Sequence, residues 1–367
     1  MRARIWLFNK HTDIWLLGSP VWICWLVCFL VPATWHQHDI PLWFWVVIII
    51  GIDVSHVWST IFRTYLDKDE FQRHKTLLVL APFIAVTVFF VAAVISIHTF
   101  WTILAYLALY HFIKQQYGFM RLYQARYGKV DVKKRVSDKS AIYLGMLYPV
   151  LYWHLNTRRE FSWFVDGDFF NLSELTDSLA PVISYFNPIG TSLYLAVLAY
   201  WLIQEIYLHQ KHRLSFPFGK VLWVITTAFN WFLGIVYFNS DFAFSLTNVV
   251  AHGIPYMALM FFYVERKKQA VQRIPIGKIA IHVAFMLMVV LMLALGEEYL
   301  WDMLVYRENE NVFARIFNYP FNPVTSTLAT ALAMALLSVP QVTHYILDGF
   351  IWKANKKNPY VKKVFLE

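Results

Sequence analysis

The chain has few charged residues for its length. They make up 15% of its 367 residues, whereas an average soluble domain has about 25%. Hydrophobic residues account for 59% of the chain and aromatic residues for 19%, and the mean hydropathy is +0.47. This composition excludes an ordinary soluble domain and indicates an integral membrane protein that crosses the bilayer many times.

Cysteine is almost absent as well. The two cysteines, Cys24 and Cys28, both lie in the first apolar run, which excludes a disulfide framework and a cysteine-rich zinc module. The sequence also lacks an internal repeat and a glycine-serine linker that would separate domains. We therefore expect residues 1–367 to form a single transmembrane domain.

About ten apolar runs are long enough to cross a bilayer, which takes about 20 residues in a helix. They fall near residues 12–32, 41–62, 76–97, 98–119, 141–155, 180–208, 219–238, 242–264, 278–296 and 325–352. The fifth of these runs is short. The sequence thus predicts an all-α, polytopic bundle of about ten transmembrane helices.

The net charge of +9 comes from lysines and arginines in the segments that join these runs. With ten helices, all but four of the 32 basic residues fall on the side of the N-terminus, the exceptions being Arg158, Arg159, Arg307 and Arg315. Because cytoplasmic loops carry such an excess, we place both termini in the cytoplasm and the protein in the plasma membrane. Acidic loops near 156–178 and 297–324 then lie outside, and nucleic acid is not expected as a partner.

Four of the predicted helices carry a histidine with polar companions on the same face. Side chains three or four residues apart share a helix face, and polar groups in hydrocarbon are costly unless something binds them. The sets are Asp53, His56, Thr60 and Arg63 in the second helix; His111 and Gln115 in the fourth; Asn248, His252 and Tyr256 in the eighth; and Gln341, His344, Asp348 and Trp352 in the tenth.

All four are even-numbered helices, and three of the histidines lie at similar distances from the basic ends of their helices. A single intramembrane histidine is explained by a hydrogen bond to a tyrosine or to a carbonyl of a neighbouring helix. Four of them favour a metal ion shared by His56, His111, His252 and His344 in the cytoplasmic half of the bundle. The sequence therefore predicts a histidine-rich metal site.

The companions of these histidines are candidates for supporting roles. A ligating imidazole usually donates its other N–H to a carboxylate or carbonyl. We expect catalytic or ligand-orienting roles for Asp53, Tyr256 and Asp348, and contacts with ligands or substrate for Arg63, Gln115, Asn248 and Gln341.

A second group of residues could complete another metal position. Glu205, His209 and His212 share a face at the cytoplasmic end of the sixth predicted helix, and His282 enters the ninth helix from the same side. A solvated helix end at the membrane interface explains this group better than a second metal position does.

A many-helix membrane protein with single histidines on separate helices resembles the bacterial and archaeal β-carotene-cleaving dioxygenases of the Brp/Blh kind. The resemblance is one of architecture, and it implies iron held by several histidines and retinal-type products. No residue is carried over from that family. Integral-membrane desaturases and hydroxylases are less similar, because their clustered histidine motifs are absent here.

Neutral imidazole suits iron, zinc and copper. A nitrogen-rich site with open positions can bind ferrous iron and present dioxygen to an apolar substrate that enters from the bilayer. We therefore expect a non-haem iron oxygenase or desaturase for a lipid, hydrocarbon or isoprenoid, with an electron-donor protein as a further partner. The alternatives are a zinc-dependent lipid hydrolase, an electron-transfer subunit with haem b, and a proton-coupled transporter.

Overall fold

The computed structural model describes residues 5–36, 41–128, 132–155, 163–170, 178–272, 279–315, 317, 319–353 and 358–365. All regular structure within these ranges is helical, without a β-strand, which confirms the predicted all-α fold. The main helices are α1 (Lys10–Leu30), α2 (Leu42–Phe62), α3 (Lys68–Ile95), α4 (Ile97–Tyr127), α5 (Val132–Leu155), α6 (Ala180–Lys211), α7 (Phe218–Tyr237), α8 (Asp241–Lys268), α9 (Ala280–Tyr306), α10 (Thr327–Leu337), α11 (Val339–Ile351) and α12 (Pro359–Phe365).

Seven helices of the described ranges are long and apolar enough to cross a membrane. The number rises to eight if α10 and α11, which are bent by 43° at their junction, form one span. These helices support an integral membrane bundle. The exact number of ten spans, the cytoplasmic termini and the identity of the membrane stay predictions.

The bend between α10 and α11 follows from the local sequence. Pro340 lies in the first turn of α11, where a missing N–H and a fixed φ are tolerated. Ser338 closes the end of α10, since its N–H bonds to the carbonyl of Met334 at 3.0 Å and its hydroxyl to that of Ala335 at 3.1 Å. The bend is therefore a break between two short helices.

The two predicted outer loops are described to different extents. Of the stretch near 156–178, only residues 163–170 and 178 are described. Near 297–324, α9 continues to Tyr306, and a short helix follows at Glu310–Phe313. The buried Asp302 carboxylate accepts hydrogen bonds from the Asn309 N–H, at 2.6 Å, and from the Tyr319 hydroxyl. Much of this second loop is thus helical or held by hydrogen bonds.

The chain divides into two compact units. Unit 1 comprises Met1–Pro41, Phe112–Pro255 and Phe365–Glu367, and unit 2 comprises Leu42–His111 and Tyr256–Val364. The division falls inside two continuous helices, α4 and α8.

In unit 1, α5 packs against α6 and α7. A polar chain also joins three helices of this unit, since the Trp25 indole donates to the Asn230 side chain at 2.9 Å and Asn230 donates to Asn248 Oδ1 at 3.1 Å. Buried polar groups need such partners because water cannot reach them.

In unit 2, α3 packs against α10 and α11, and α9 packs against α2. Asp67 caps the N-terminus of α3, and its carboxylate accepts hydrogen bonds from the N–H groups of Asp69 and Glu70, both at 3.1 Å. Such a cap stabilises a helix by about 1 kcal/mol. One face of α11, which includes His344, is buried in this unit.

Candidate metal centre

Three of the predicted ligands lie close together in unit 2. His56, His111 and His344 are 1%, 3% and 1% exposed. The Nε2 atoms of His111 and His344 are 3.1 Å apart, and the ring centroids of His56 and His344 are separated by 5.0 Å. Three imidazoles therefore converge from α2, α4 and α11.

The fourth histidine is carried by α8. His252 is fully buried, and its ring stacks on Phe112 at a centroid distance of 3.6 Å. His252 belongs to unit 1, whereas His56, His111 and His344 belong to unit 2. Three of the four predicted ligands thus lie close together in unit 2, and a single ion shared by all four histidines stays a prediction.

Two of the histidines follow π-helical segments. Residues Trp45–Val54 of α2 precede His56, and residues Ser245–Val249 precede His252. A π-helical turn contains more residues than an α-helical turn, so it changes the direction in which the following side chains point. Such segments are frequent at functional sites.

A chain of hydrogen bonds fixes the tautomer of His344. As a carboxylate, Asp348 can only accept hydrogen bonds, so the Tyr256 hydroxyl donates to its Oδ1 at 2.6 Å. The Tyr256 oxygen then accepts from the Thr60 hydroxyl at 2.9 Å, and Thr60 Oγ1 accepts the Nδ1–H of His344 at 2.7 Å. The proton of His344 is therefore on Nδ1, and the lone pair is on Nε2, the atom that faces His111.

Asp348 is held between this chain and the histidines. Its Oδ1 also accepts a hydrogen bond from the Trp352 indole at 3.2 Å, while its Oδ2 lies 3.8 Å from His111 Nε2. Two donors thus occupy one carboxylate oxygen, and the other oxygen is directed toward an imidazole of the cluster. This position suits either the orientation of a ligand or direct coordination.

A carboxylate of α2 lies beside His56. Asp53 Oδ1 is 3.5 Å from His56 Nδ1. Asp53 is 25% exposed, whereas His56 is almost completely buried. The carboxylate is therefore close enough to orient this imidazole.

The ring of His111 is positioned by a second aromatic residue. Tyr345 stacks on it at a centroid distance of 4.5 Å, and the Gln341 side chain donates to the Tyr345 hydroxyl at 2.8 Å. Gln341 therefore acts through Tyr345, a residue that the sequence analysis did not select because its aromatic side chain is ordinary in an apolar helix.

The other predicted companions have structural partners. Gln115 donates to the backbone carbonyl of His252 at 2.8 Å and does not contact its ring nitrogens by this bond. Asn248 belongs to the polar chain with Asn230 in unit 1. Arg63 is fully buried between the rings of Tyr263 and Trp352.

The weaker metal candidates are not part of the histidine cluster. Glu205 Oε1 lies 2.5 Å from Lys134 Nζ and 2.6 Å from Lys220 Nζ, so its carboxylate is paired with ammonium groups. His209 Nδ1 bonds to the backbone carbonyl of Glu205 at 2.7 Å. His282 lies instead beside Glu265 in unit 2, with Nδ1 3.6 Å from its Oε1. His212 follows the last residue of α6 and is exposed.

Sequence reasoning also missed a buried ion network in unit 1. Asp138 is completely buried and contacts Lys134 at 3.1 Å and Lys220 at 2.9 Å, and it accepts a hydrogen bond from the Trp201 indole at 2.9 Å. The sequence signal for this network is a lysine and an aspartate near the ends of apolar runs.

The histidine cluster has the chemistry of a metal site. Its donors are buried neutral nitrogens, one tautomer is fixed so that a lone pair points inward, and a carboxylate lies at its edge. Comparisons with protein-family models, with curated proteins and with solved structures find no match to this chain.

Proposed function

We propose that the chain is a membrane-embedded, histidine-ligated metalloenzyme, a non-haem iron oxygenase or desaturase that acts on a lipophilic substrate. The observation that carries this proposal is the convergence of three buried imidazoles in unit 2, where the Nε2 atoms of His111 and His344 are 3.1 Å apart and the ring centroids of His56 and His344 are separated by 5.0 Å. Neutral imidazole nitrogens that converge in this way suit a transition-metal ion such as iron. We expect His252, the fourth predicted ligand, to complete the set.

The spacing favours a bare ion over haem b. His111 and His344 have Nε2 atoms 3.1 Å apart and ring centroids 4.6 Å apart. A porphyrin held between two imidazoles has to fit between their nitrogens, and this separation leaves no room for the iron with its ring. We therefore assign the ligands to a single ion.

Iron in such a nitrogen-rich site supplies the activation of dioxygen when it is bound. The residues around it supply the rest. Phe112 stacks on His252 and Tyr345 stacks on His111, and these rings exclude water from the cluster. Tyr256 holds a proton between Thr60 and Asp348, at a hydroxyl next to the histidines. Its position suits proton delivery to the reacting centre.

The substrate class follows from the surroundings. His56 lies in a helix that is apolar enough to span a membrane, and α3 and α9 are two further helices of this kind. Large apolar side chains of these two helices are exposed, including Phe83 of α3 and Met292 of α9. Hydrocarbon lipid chains cover such surfaces in a bilayer. We infer that a lipid, hydrocarbon or isoprenoid reaches the site from the bilayer, with electrons supplied by a partner protein.

The experiment is elemental analysis with an optical spectrum of the protein purified in a neutral detergent. We expect about one iron per chain in the wild type and strong depletion in His111→Ala and His344→Ala, with unchanged elution on gel filtration. His154→Ala is the matched control, since His154 Nδ1 bonds to the carbonyl of Val150 at 2.8 Å, outside the cluster.

Each other result points elsewhere. Zinc at the same stoichiometry would replace the oxygenase with a lipid hydrolase that uses the same ligands. A Soret band would indicate haem b. Metal content that is equal in His111→Ala, His344→Ala and the wild type would refute the metal site.

A further inference from the structure

A buried arginine lies beside the histidine cluster in unit 2. Arg63 is 0% exposed, and its guanidinium carbon lies 4.0 Å from the ring centroid of Tyr263 and 3.9 Å from that of Trp352. One nitrogen, Nη2, donates to the carbonyl of Ile351. The two faces of the cation are thus covered by aromatic rings, and only its edge can accept a further ligand.

The edge of this guanidinium is not satisfied by the described residues. Arg63 Nε and Nη1 are buried and have no hydrogen-bond partner among them. These two atoms carry three of the five N–H groups of an arginine. Leaving buried donors of a charged group without acceptors is costly, so the arrangement points to a ligand with oxygen acceptors.

The carboxylates near Arg63 have other partners. Asp67 pairs with Lys267 Nζ at 2.7 Å. Glu70 Oε1 accepts hydrogen bonds from Arg73 and from the Tyr263 hydroxyl, both at 3.1 Å. Glu70 and Asp348 attract the Arg63 charge electrostatically, but neither accepts a hydrogen bond from its Nε or Nη1, which have no acceptor among the described residues.

Arg63 is also connected to the candidate metal centre. Trp352 stacks on the guanidinium and donates its indole N–H to Asp348, the carboxylate whose Oδ2 lies 3.8 Å from His111 Nε2. Arg63 directly follows α2 and begins the basic segment 63–75, and tryptophan and tyrosine prefer the same headgroup depth of the bilayer. A ligand with an anionic head and an apolar tail fits both surroundings.

We propose that Arg63 binds the anionic headgroup, a carboxylate or a phosphate, of an amphiphilic lipid that is the substrate of the neighbouring centre. Only the role of this lipid as the substrate rests on the proposed function; its binding to Arg63 does not. Guanidinium is suited to this task because its planar donors match carboxylate and phosphate oxygens, and the aromatic stack holds the plane in place.

The test is calorimetric titration of the full chain in maltoside micelles with dodecanoate, dodecyl phosphate, methyl dodecanoate and inorganic phosphate. We expect at least one of the two dodecyl anions to bind tenfold or more tightly than the uncharged ester, and the better one identifies the headgroup. Inorganic phosphate alone should bind weakly, because it lacks the apolar tail. Arg63→Gln should abolish the preference for the anion.

Arg73→Gln is the matched control, because Arg73 is 33% exposed and its guanidinium pairs with Glu70 at 3.1 Å; it should keep the preference. Arg63→Lys carries the test if Arg63→Gln does not fold, since lysine keeps the charge but not the planar donors, and the preference should fall at least threefold. Equal binding of anions and ester by the wild type, or an unchanged preference in a folded Arg63 variant, overturns the proposal. Metal content measured on the same samples should not depend on Arg63, which separates this failure from failure of the metal site.

Discussion

Replacement of Thr60 by valine tests the hydrogen-bond chain that fixes the tautomer of His344. Valine keeps the branched shape of threonine and removes only the hydroxyl. That hydroxyl accepts the Nδ1–H of His344 at 2.7 Å and bonds to the Tyr256 hydroxyl at 2.9 Å. The variant therefore leaves one buried donor without an acceptor and shortens the chain that ends at Asp348.

The magnitude follows from what is lost. A buried donor left without a partner costs about 1–3 kcal/mol. Loss of a group that orients a ligating histidine lowers metal affinity by about 10- to 100-fold, and each factor of ten corresponds to about 1.4 kcal/mol. The loss of metal affinity thus corresponds to about 1.4–2.8 kcal/mol, which lies within the cost of the unpaired donor. The affinity falls because the imidazole of His344 is free to adopt the other tautomer once Thr60 Oγ1 is gone. We expect Thr60→Val to bind the metal 10- to 100-fold more weakly than the wild type.

The assay is metal retention against a graded series of chelators, with the metal measured by mass spectrometry after gel filtration. Thr64→Val is the matched control, since Thr64 is 1% exposed and its hydroxyl donates to the carbonyl of Thr60 at 2.7 Å. This bond does not involve a histidine. The control should lose about 1 kcal/mol of stability and keep the wild-type metal affinity. Unchanged affinity in Thr60→Val, or an equal loss in both variants, would refute the proposed tautomer.

Three further outcomes test packing and charge in unit 1. Lys220→Met leaves buried carboxylates without one of their cations and should lower the free energy of unfolding by about 3–5 kcal/mol, measured by chemical denaturation in micelles. Burial raises the pKa of Asp138, but the Lys220 and Lys134 ammonium groups outweigh burial and lower that pKa to about 2. Because the pKa is depressed in the folded state, the stabilisation is present above about pH 4 and is lost as the pH falls toward 2. Thermal unfolding between pH 6 and pH 3 should detect this loss in the wild type and much less of it in Lys220→Met. Gly234→Ala would put a Cβ 2.7 Å from Asn248 Nδ2, so overpacking should cost about 1–3 kcal/mol by the same denaturation assay, and an unchanged midpoint would contradict that close approach.

The convergence of the histidines could be predicted because two simple signals coincide in the sequence. Each of His56, His111, His252 and His344 interrupts an apolar run that is long enough to form a helix. Polar side chains are costly in hydrocarbon, and three of the four histidines lie at similar distances from the ends of their helices. Helix period and charge distribution therefore sufficed to group residues that are nearly 300 positions apart.

The hydrogen-bond chain could not be predicted from the same signals. In an ideal α-helix, Thr60 and His56 lie on the same face. In the structure, the ten residues Trp45–Val54 are π-helical and Thr60–Phe62 form a 3-10 turn. These departures from the α-helix change the directions of the side chains, and neither the composition nor the hydrophobic periodicity of the sequence predicts them. The bond from Thr60 to His344 is a contact between two helices, which intrahelical spacing does not encode.

The same limit explains the interpretation of Glu205. Its spacing to His209 and His212 along α6 suggested a shared ligand set. In the structure the carboxylate is paired with Lys134 of α5 and Lys220 of α7. Spacing along one helix identifies only neighbours on that helix, whereas the partners of a buried charge come from the helices packed against it.

The charge of the cluster gives Asp348 a role that no histidine can fill. Neutral imidazoles bring no negative charge, so a cation among them in a low-dielectric surrounding lacks compensation. Tyr256 and Trp352 both donate to Oδ1 of Asp348, at 2.6 and 3.2 Å, and this leaves Oδ2 directed at His111 Nε2, 3.8 Å away. A carboxylate that only tied helices together would need no such division between its oxygens. In the proposed centre, the protein's own donors hold one oxygen of Asp348 and the other is available to the positive charge of an ion at the histidines, so we expect the carboxylate and the imidazoles to act together.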